Sequence, residues 1–257
     1  MALLTILIFL LSGIQASGNE KLPEEFAAMR SALCDRPADF IEVGCRVCPK
    51  FMAGSSGGGL GINNVLLGSF TSAGKTEAFL GSGSCFNHAE GFASAFLLRK
   101  EKDSWQRLSF FHNVGPVGVC QKIPGQGDER DLLICNSEDY GAGDINVIAF
   151  DGNGKVKTES ALVQTWTYPF RVLEKQKHCS SLDATVKNVS SSSIEISVIL
   201  NSFDVDPPID CDEGDTTTSK ISNLKKVDAV AVFVRDGDSF SPDEKTGKLL
   251  AEVQTSR

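Results

Sequence analysis

The sequence predicts an all-β protein: antiparallel meander sheets arranged as propeller-like blades or stacked sheets, with one short N-terminal helix. Three observations carry this expectation. From Asn64 onward, short apolar runs alternate with Gly, Ser, Asn or Lys-Asp turn residues. The intervals between them suit hairpins and not the crossover helices that parallel strands require. Finally, all eight cysteines lie behind an uncharged apolar N-terminus, as in small exported domains braced by disulfides.

Residues 1–16 carry no charged side chain, and the apolar run from Ala2 to Leu11 ends in Ile14-Gln15-Ala16. This reads as a secretory signal peptide with cleavage near Ser17, although no Lys or Arg precedes the apolar run. The run is shorter than the roughly 20 residues a spanning helix needs, and no later segment is long and apolar enough to span. No membrane insertion is therefore expected after signal removal. The expected localisation is secreted or periplasmic.

Pro23 to Leu33 is the expected helix. Pro23 suits the first helical position, Glu24 and Glu25 complement the positive end of the helix dipole, and Phe26, Met29 and Leu33 share a face. Residues 17–63 thus hold this helix, a cysteine-rich segment and the Gly/Ser-rich stretch from Gly54 to Gly61. Residues 64–257 are expected to form a single antiparallel β domain of about three blade-like repeats. The expected strands are Val65–Phe70, Glu77–Leu80, Phe92–Arg99, Trp105–Phe111, Val117–Ile123, Asp131–Cys135 and Ile145–Phe150. A tight turn at Asp151-Gly152-Asn153-Gly154 leads to a strand from Lys155. Ala184–Val189, Ile194–Asn201, Val227–Val234 and Lys248–Val253 complete the set.

A carboxylate followed by a short apolar strand recurs at Glu77, Asp131, Glu195 and Asp228. The first two steps approximate one four-stranded blade and the third breaks the period, so blades compete with ordinary strands preceded by an acidic residue. The stretch Gly68-Ser-Phe-Thr-Ser-Ala-Gly-Lys-Thr-Glu-Ala-Phe-Leu-Gly81 resembles the FG-GAP/VCBS-type repeats of integrin-like β-propellers. Their core runs Gly-Asp-Phe-Asn-Gly-Asp-Gly-Lys-x-Asp, then three apolar residues and Gly. Gly68, Phe70, Gly74, Lys75 and Gly81 fall in place, with Glu77 at the last acidic position. Asp131 to Cys135 matches more loosely. The resemblance implies a propeller-like architecture. In that family the turn carboxylates bind calcium, but Ser69, Thr71 and Ala73 hold their places here, so it implies no metal at this turn.

Gly74-Lys75-Thr76 also mimics the end of a phosphate-binding loop. Ser69 stands where that motif needs its first Gly, and Glu77-Ala-Phe-Leu-Gly81 cannot supply the following helix. Net charge is −8 with a pI near 5.0. Nucleic-acid binding, which rests on Lys and Arg neutralising phosphates, is not expected.

Eight cysteines permit on the order of a hundred pairings. The turn cluster Gly125-Gln126-Gly127-Asp128 lies midway between Cys120 and Cys135, so a hairpin would bring those two together. Cys179 with Cys211 is a further candidate pair, and Cys34 is expected to staple the N-terminal segment to the body. Cys45-Arg-Val-Cys48 is a C-x-x-C that with Cys85 and His88 has the composition of a Cys₃His zinc site. Two separate disulfides are the favoured reading, with zinc and redox chemistry as alternatives.

Asp204, Asp206, Asp210 and Asp212 form an acidic cluster whose calcium reading competes with a solvated loop held by Cys211. Gly54-Ser55-Ser56-Gly57-Gly58 matches G-x-S-x-G without the helix a nucleophile elbow needs. Trp166, Tyr168 and Phe170 alternate, so in a strand they share one face, as core or as a binding stripe. Asn188-Val189-Ser190 is a glycosylation sequon. The expected function is a non-catalytic binding or scaffolding module without a cofactor, its partner a protein or glycan. The competing class is a secreted hydrolase with a dispersed site including His88 and His112.

Overall fold

The structure, a computed structural model, describes residues 24–41, 44–52, 58–83, 85, 94–111, 120–139, 142–166, 176–209, 211 and 220–254. Two antiparallel sheets account for most of it, and in each the strands follow one another in chain order. The first holds β1 (Phe40–Ile41), β2 (Gly44–Cys45), β3 (Leu60–Gly68), β4 (Glu77–Gly83), β5 (Ser94–Glu101) and β6 (Ser104–Phe111). The second holds β7 (Gln121–Ile123), β8 (Leu132–Asp139), β9 (Ala142–Phe150), β10 (Val156–Trp166), β11 (Gln176–Val189), β12 (Ser193–Ile209), β13 (Lys220–Asp236) and β14 (Ser239–Pro242). Both are antiparallel meanders, in which no connection has to supply a crossover helix.

The first sheet is apolar on both faces because period-two alternation sends apolar side chains each way. Ala78, Leu80, Phe96 and Leu98 point to one side, where they pack with Phe26, Met29, Leu33 and the cysteines at 34, 45, 48 and 85. Phe79, Ala95 and Leu97 point to the other, against Leu133, Ile148 and Phe150 of β8 and β9. Burial on both faces is why Phe96-Leu97-Leu98 reads as an unbroken apolar run. The second sheet divides its residues likewise. Leu132, Ile134, Val147 and Ala149 face a separate core inside a curl that brings β14 close to β10, and this core extends across β11, β12 and β13.

The N-terminal segment is helical but tightly wound. A 3₁₀ stretch, Glu24–Met29, runs into one α-turn, α1 (Arg30–Leu33). Residues i and i+3 eclipse in a 3₁₀ helix, which stacks Phe26 and Met29 on the buried face. Arg107 of β6 donates to the Ala32 carbonyl at the helix C-terminus, 3.2 Å away. The glycine-rich stretch does not part this segment from the sheet, since Gly44 and Cys45 pair with Gly61 and Leu60 across it. At Gly44, with φ of +152°, a Cβ would stand 1.9 Å from the Leu60 carbonyl oxygen, so only glycine fits.

One expected strand is corrected. Lys248–Val253 lies in helix α2 (Glu244–Gln254). Asp243 caps it by accepting the Thr246 N–H at 2.7 Å, and Val253, Leu249 and Leu250 pack on the curled core. The sequence Pro242-Asp243-Glu244 carries that start signal. The strands β11, β12 and β13 are longer than expected, at 14, 17 and 17 residues. At roughly 3.3 Å per residue the longest reaches about 55 Å, and its far end carries a small core of Cys179, Val205 and Cys211.

The Phe79–Phe150 contact between the sheets sets a test. Truncating either buried ring to Ala should cost about 3–5 kcal/mol in chemical denaturation. A loss below about 1 kcal/mol would show that the two sheets do not share a core.

Candidate functional site

Meander topology gathers alternate hairpin turns at one end of each sheet. Five turns meet here: residues 69–76 between β3 and β4, 124–131 between β7 and β8, 151–155 between β9 and β10, 190–192 between β11 and β12, and 237–238 between β13 and β14. Side chains tie them together. Asp131 accepts the Ser69 N–H and the Gly125 N–H, each at 2.8 Å. Glu77, fully buried, accepts the Thr71 N–H at 2.8 Å, the Thr71 hydroxyl at 2.6 Å and Arg99 Nε at 2.9 Å. Arg99 continues to the Gly152 carbonyl at 3.2 Å.

Arg130 and Arg235 complete the seam. Arg130 donates to the Phe150 carbonyl and pairs with Asp238, which also accepts from Lys157 Nζ at 2.9 Å. Arg235 is 5% exposed. Its Nε donates to Gly237 O at 2.9 Å and its Nη1 to Pro124 O at 2.9 Å and Ser191 O at 3.3 Å. Its Nη2 donates to Arg130 O and meets Glu129 Oε2, each at 3.3 Å. Four guanidinium donors thereby reach carbonyl oxygens while Glu129 meets the charge, which the three donors of a lysine could not reproduce.

These groups wall a cleft of about 390 Å³ lined by Ser72, Ala73, Asp128, Glu129, Arg130, Arg235, Gly237 and Asp238. Clefts of this size accept small ligands or a projecting partner group. Burial alone would push the Asp238 carboxyl up. Hydrogen bonds from Lys157 and Arg130, with their positive charges, outweigh that and hold it below its ordinary value of 3.8.

A second polar group lies at the far end of the long strands. His178 Nδ1 is 2.7 Å from Asp204 Oδ1, and Asn223 Nδ2 donates to Asp204 Oδ2 at 2.6 Å. Asn223 holds a left-handed φ of +52°, which Asn tolerates better than most residues. The Asn223 and His178 hydrogen bonds lower the pKa of the exposed Asp204 carboxyl.

The cysteines pair as Cys34–Cys45, Cys48–Cys85, Cys120–Cys135 and Cys179–Cys211. The hairpin argument for Cys120 and Cys135 holds, since the register sets Gln121 opposite Ile134. Cys45 and Cys48 belong to different bridges, so their C-x-x-C is neither a dithiol pair nor a set of thiolate ligands. Trp166 is in the curled core with its indole N–H donating to Ser180 Oγ at 3.3 Å, so it belongs to the core and not to an outward stripe. Tyr168, Phe170, His88, His112, Asp210, Asp212, Ser55 and Ser56 lie outside the described residues. Asp206 is exposed in β12 opposite Lys220. Among the described residues no three His, Cys, Asp or Glu side chains stand together as metal ligands.

The four carboxylates of the sequence repeat do different work. Glu77 and Asp131 tie turns at the polar end, whereas Glu195 lies within β12, near its start, and Asp228 in the middle of β13. Sequence reasoning missed Arg99, Arg130, Arg235 and Asp238. Arginine next to turn residues, as in Asp128-Glu129-Arg130-Asp131 and Arg235-Asp236-Gly237-Asp238, was the available signal. Compared with known proteins, the chain matches no family model and no curated sequence.

Two outcomes are expected. Glu77→Ala strands the Arg99 guanidinium and should cost about 3–5 kcal/mol of stability, with Glu77→Gln costing less. Because the folded-state pKa of Asp238 is depressed, its stabilisation is present above 3.8 and lost as pH falls through the lower folded value. Asp238→Asn should therefore flatten the acid limb of a stability-versus-pH curve. An unchanged limb would remove this carboxylate from the account.

Proposed function

We propose that the protein is exported and works as a non-catalytic binding or scaffolding module that offers its polar cleft to a partner protein or glycan. The observation that carries this reading is the saturation of the cleft's buried charges. Arg235 donates four hydrogen bonds to turn carbonyls and pairs with Glu129, and Arg130 and Asp238 hold each other. The wall is therefore set before any ligand arrives, which reduces the ordering cost of binding. Ser72 and Asp128 remain exposed at its rim, able to meet hydroxyls, amides or cationic groups. Four disulfides are compatible with export, because such bonds persist in oxidising compartments.

The test is capture from the native extracellular milieu together with a glycan array, using the full chain and a Ser72→Lys/Asp128→Lys variant. Binding above background with the natural chain is expected. The variant should lose at least tenfold in affinity at an unchanged melting temperature. Recovery of nothing by either method would sink the reading, as would binding that ignores both rim substitutions.

A further inference from the structure

We propose that Asn188 is the attachment point of an N-linked glycan, an inference that rests on the reading of the chain as exported. Asn188-Val189-Ser190 is the only Asn-X-Ser/Thr sequon in the sequence. Its position in β11 is set by an irregularity that the surrounding core demands.

Ala184 and Val186 of β11 pack against the curled core, and strict period-two alternation would send Asn188 after them. The register breaks there instead. Val186 stands opposite Ile196, yet Asn188 stands opposite Glu195, so β11 carries one residue more than β12 over this interval. Such a β-bulge reverses the side-chain alternation beyond it. Val189 rejoins the core opposite Ile194, while Lys187 and Asn188 are both exposed. Were the ladder regular, the carboxamide would enter an apolar core and Val189 would leave it.

The geometry past the bulge also suits a bulky group. Asn188 lies two residues before the β11–β12 turn, in which Ser190 Oγ accepts the Ser193 N–H at 2.9 Å. In register, Asn188 faces Glu195 and Glu195 faces Val232. With strands about 4.8 Å apart, Val232 is about 10 Å from the attachment point. Val230 and Val234, 36% and 49% exposed, flank it on the same face. A sugar chain rooted at Asn188 thus leaves from the outer surface of the long strands, two residues before one of the turns at the polar end.

The reaction requires an oligosaccharide carried on a polyprenyl diphosphate. Asn188 Nδ2 bonds to the anomeric carbon, the anomeric C–O bond to the diphosphate breaks, and the amide gives up one proton. The diphosphate departs with the bonding pair, and nothing is oxidised or reduced. Transfer takes place on the extended chain, where the Ser190 hydroxyl is free to be recognised before it enters the turn.

The experiment expresses the full chain in a eukaryotic secretory host, once with its own first residues and once behind an unrelated secretory leader. Amidase removal of N-glycans in ¹⁸O-water should give a single step in mobility and an ¹⁸O-labelled Asp at position 188. N188Q and S190A should abolish the step, and S190T should keep it, separating sequon chemistry from the turn role of Ser190. Protein recovered from the lumen or medium behind the borrowed leader with Asn188 unmodified overturns the proposal. Glycosylation only behind the borrowed leader leaves it standing and removes the export reading alone.

Discussion

Everything else in the molecule depends on the first sheet being buried on both faces. β4 and β5 have no solvent side, so each apolar surface must find a cover, and the two covers come from opposite directions in the chain. The N-terminal helix and its disulfides close one face, with Phe51 stacked edge-on between Phe96 and Phe110. The second sheet closes the other, where Phe150 meets both Phe79 and Phe111. Burial of aromatic rings in such contacts is among the larger favourable contributions available to a core. The second sheet therefore has two apolar faces at β8 and β9, and must curl to enclose its own separate core.

Packing two meanders this way forces their turns together, and turns are dense in backbone groups that the sheets cannot satisfy. The arginines at 99, 130 and 235 resolve this by donating to carbonyls of neighbouring turns while their charges are met by Glu77, Asp238 and Glu129. Interactions of this kind add little net stability when complete but are costly to break, because the stranded partner remains desolvated. The polar end is consequently rigid in shape. That rigidity connects the fold to the proposed function: a surface with preset donors and acceptors binds without first having to order itself.

How much of the site was legible depended on sequence distance. Cys120 and Cys135 could be paired because a single turn separates them, so local geometry sufficed. The partners of Cys34 and Cys48 required knowing that β2 lies beside β3 across the glycine-rich stretch. Arg130 and Asp238 are 108 residues apart and meet only because the second sheet curls. His178, without a partner in the linear sequence, finds Asp204 across the β11–β12 ladder. Helix α2 was legible through its Asp243 cap, but its Leu249-Leu250 and Val253 also fit a short strand, and period alone does not arbitrate over so few residues.

The sequence by itself determined the antiparallel all-β class, the hairpin turns and the local Cys120–Cys135 bridge. Each follows from alternation, turn chemistry and spacing within a few residues, and these act before any long-range contact forms. Only the tertiary structure decided that the strands form two meanders packed face to face, which arginines converge, and that Asn188 is turned outward by a bulge. Those outcomes depend on which apolar face covers which. That choice is made by the summed burial of residues far apart in the chain, and no local pattern encodes it.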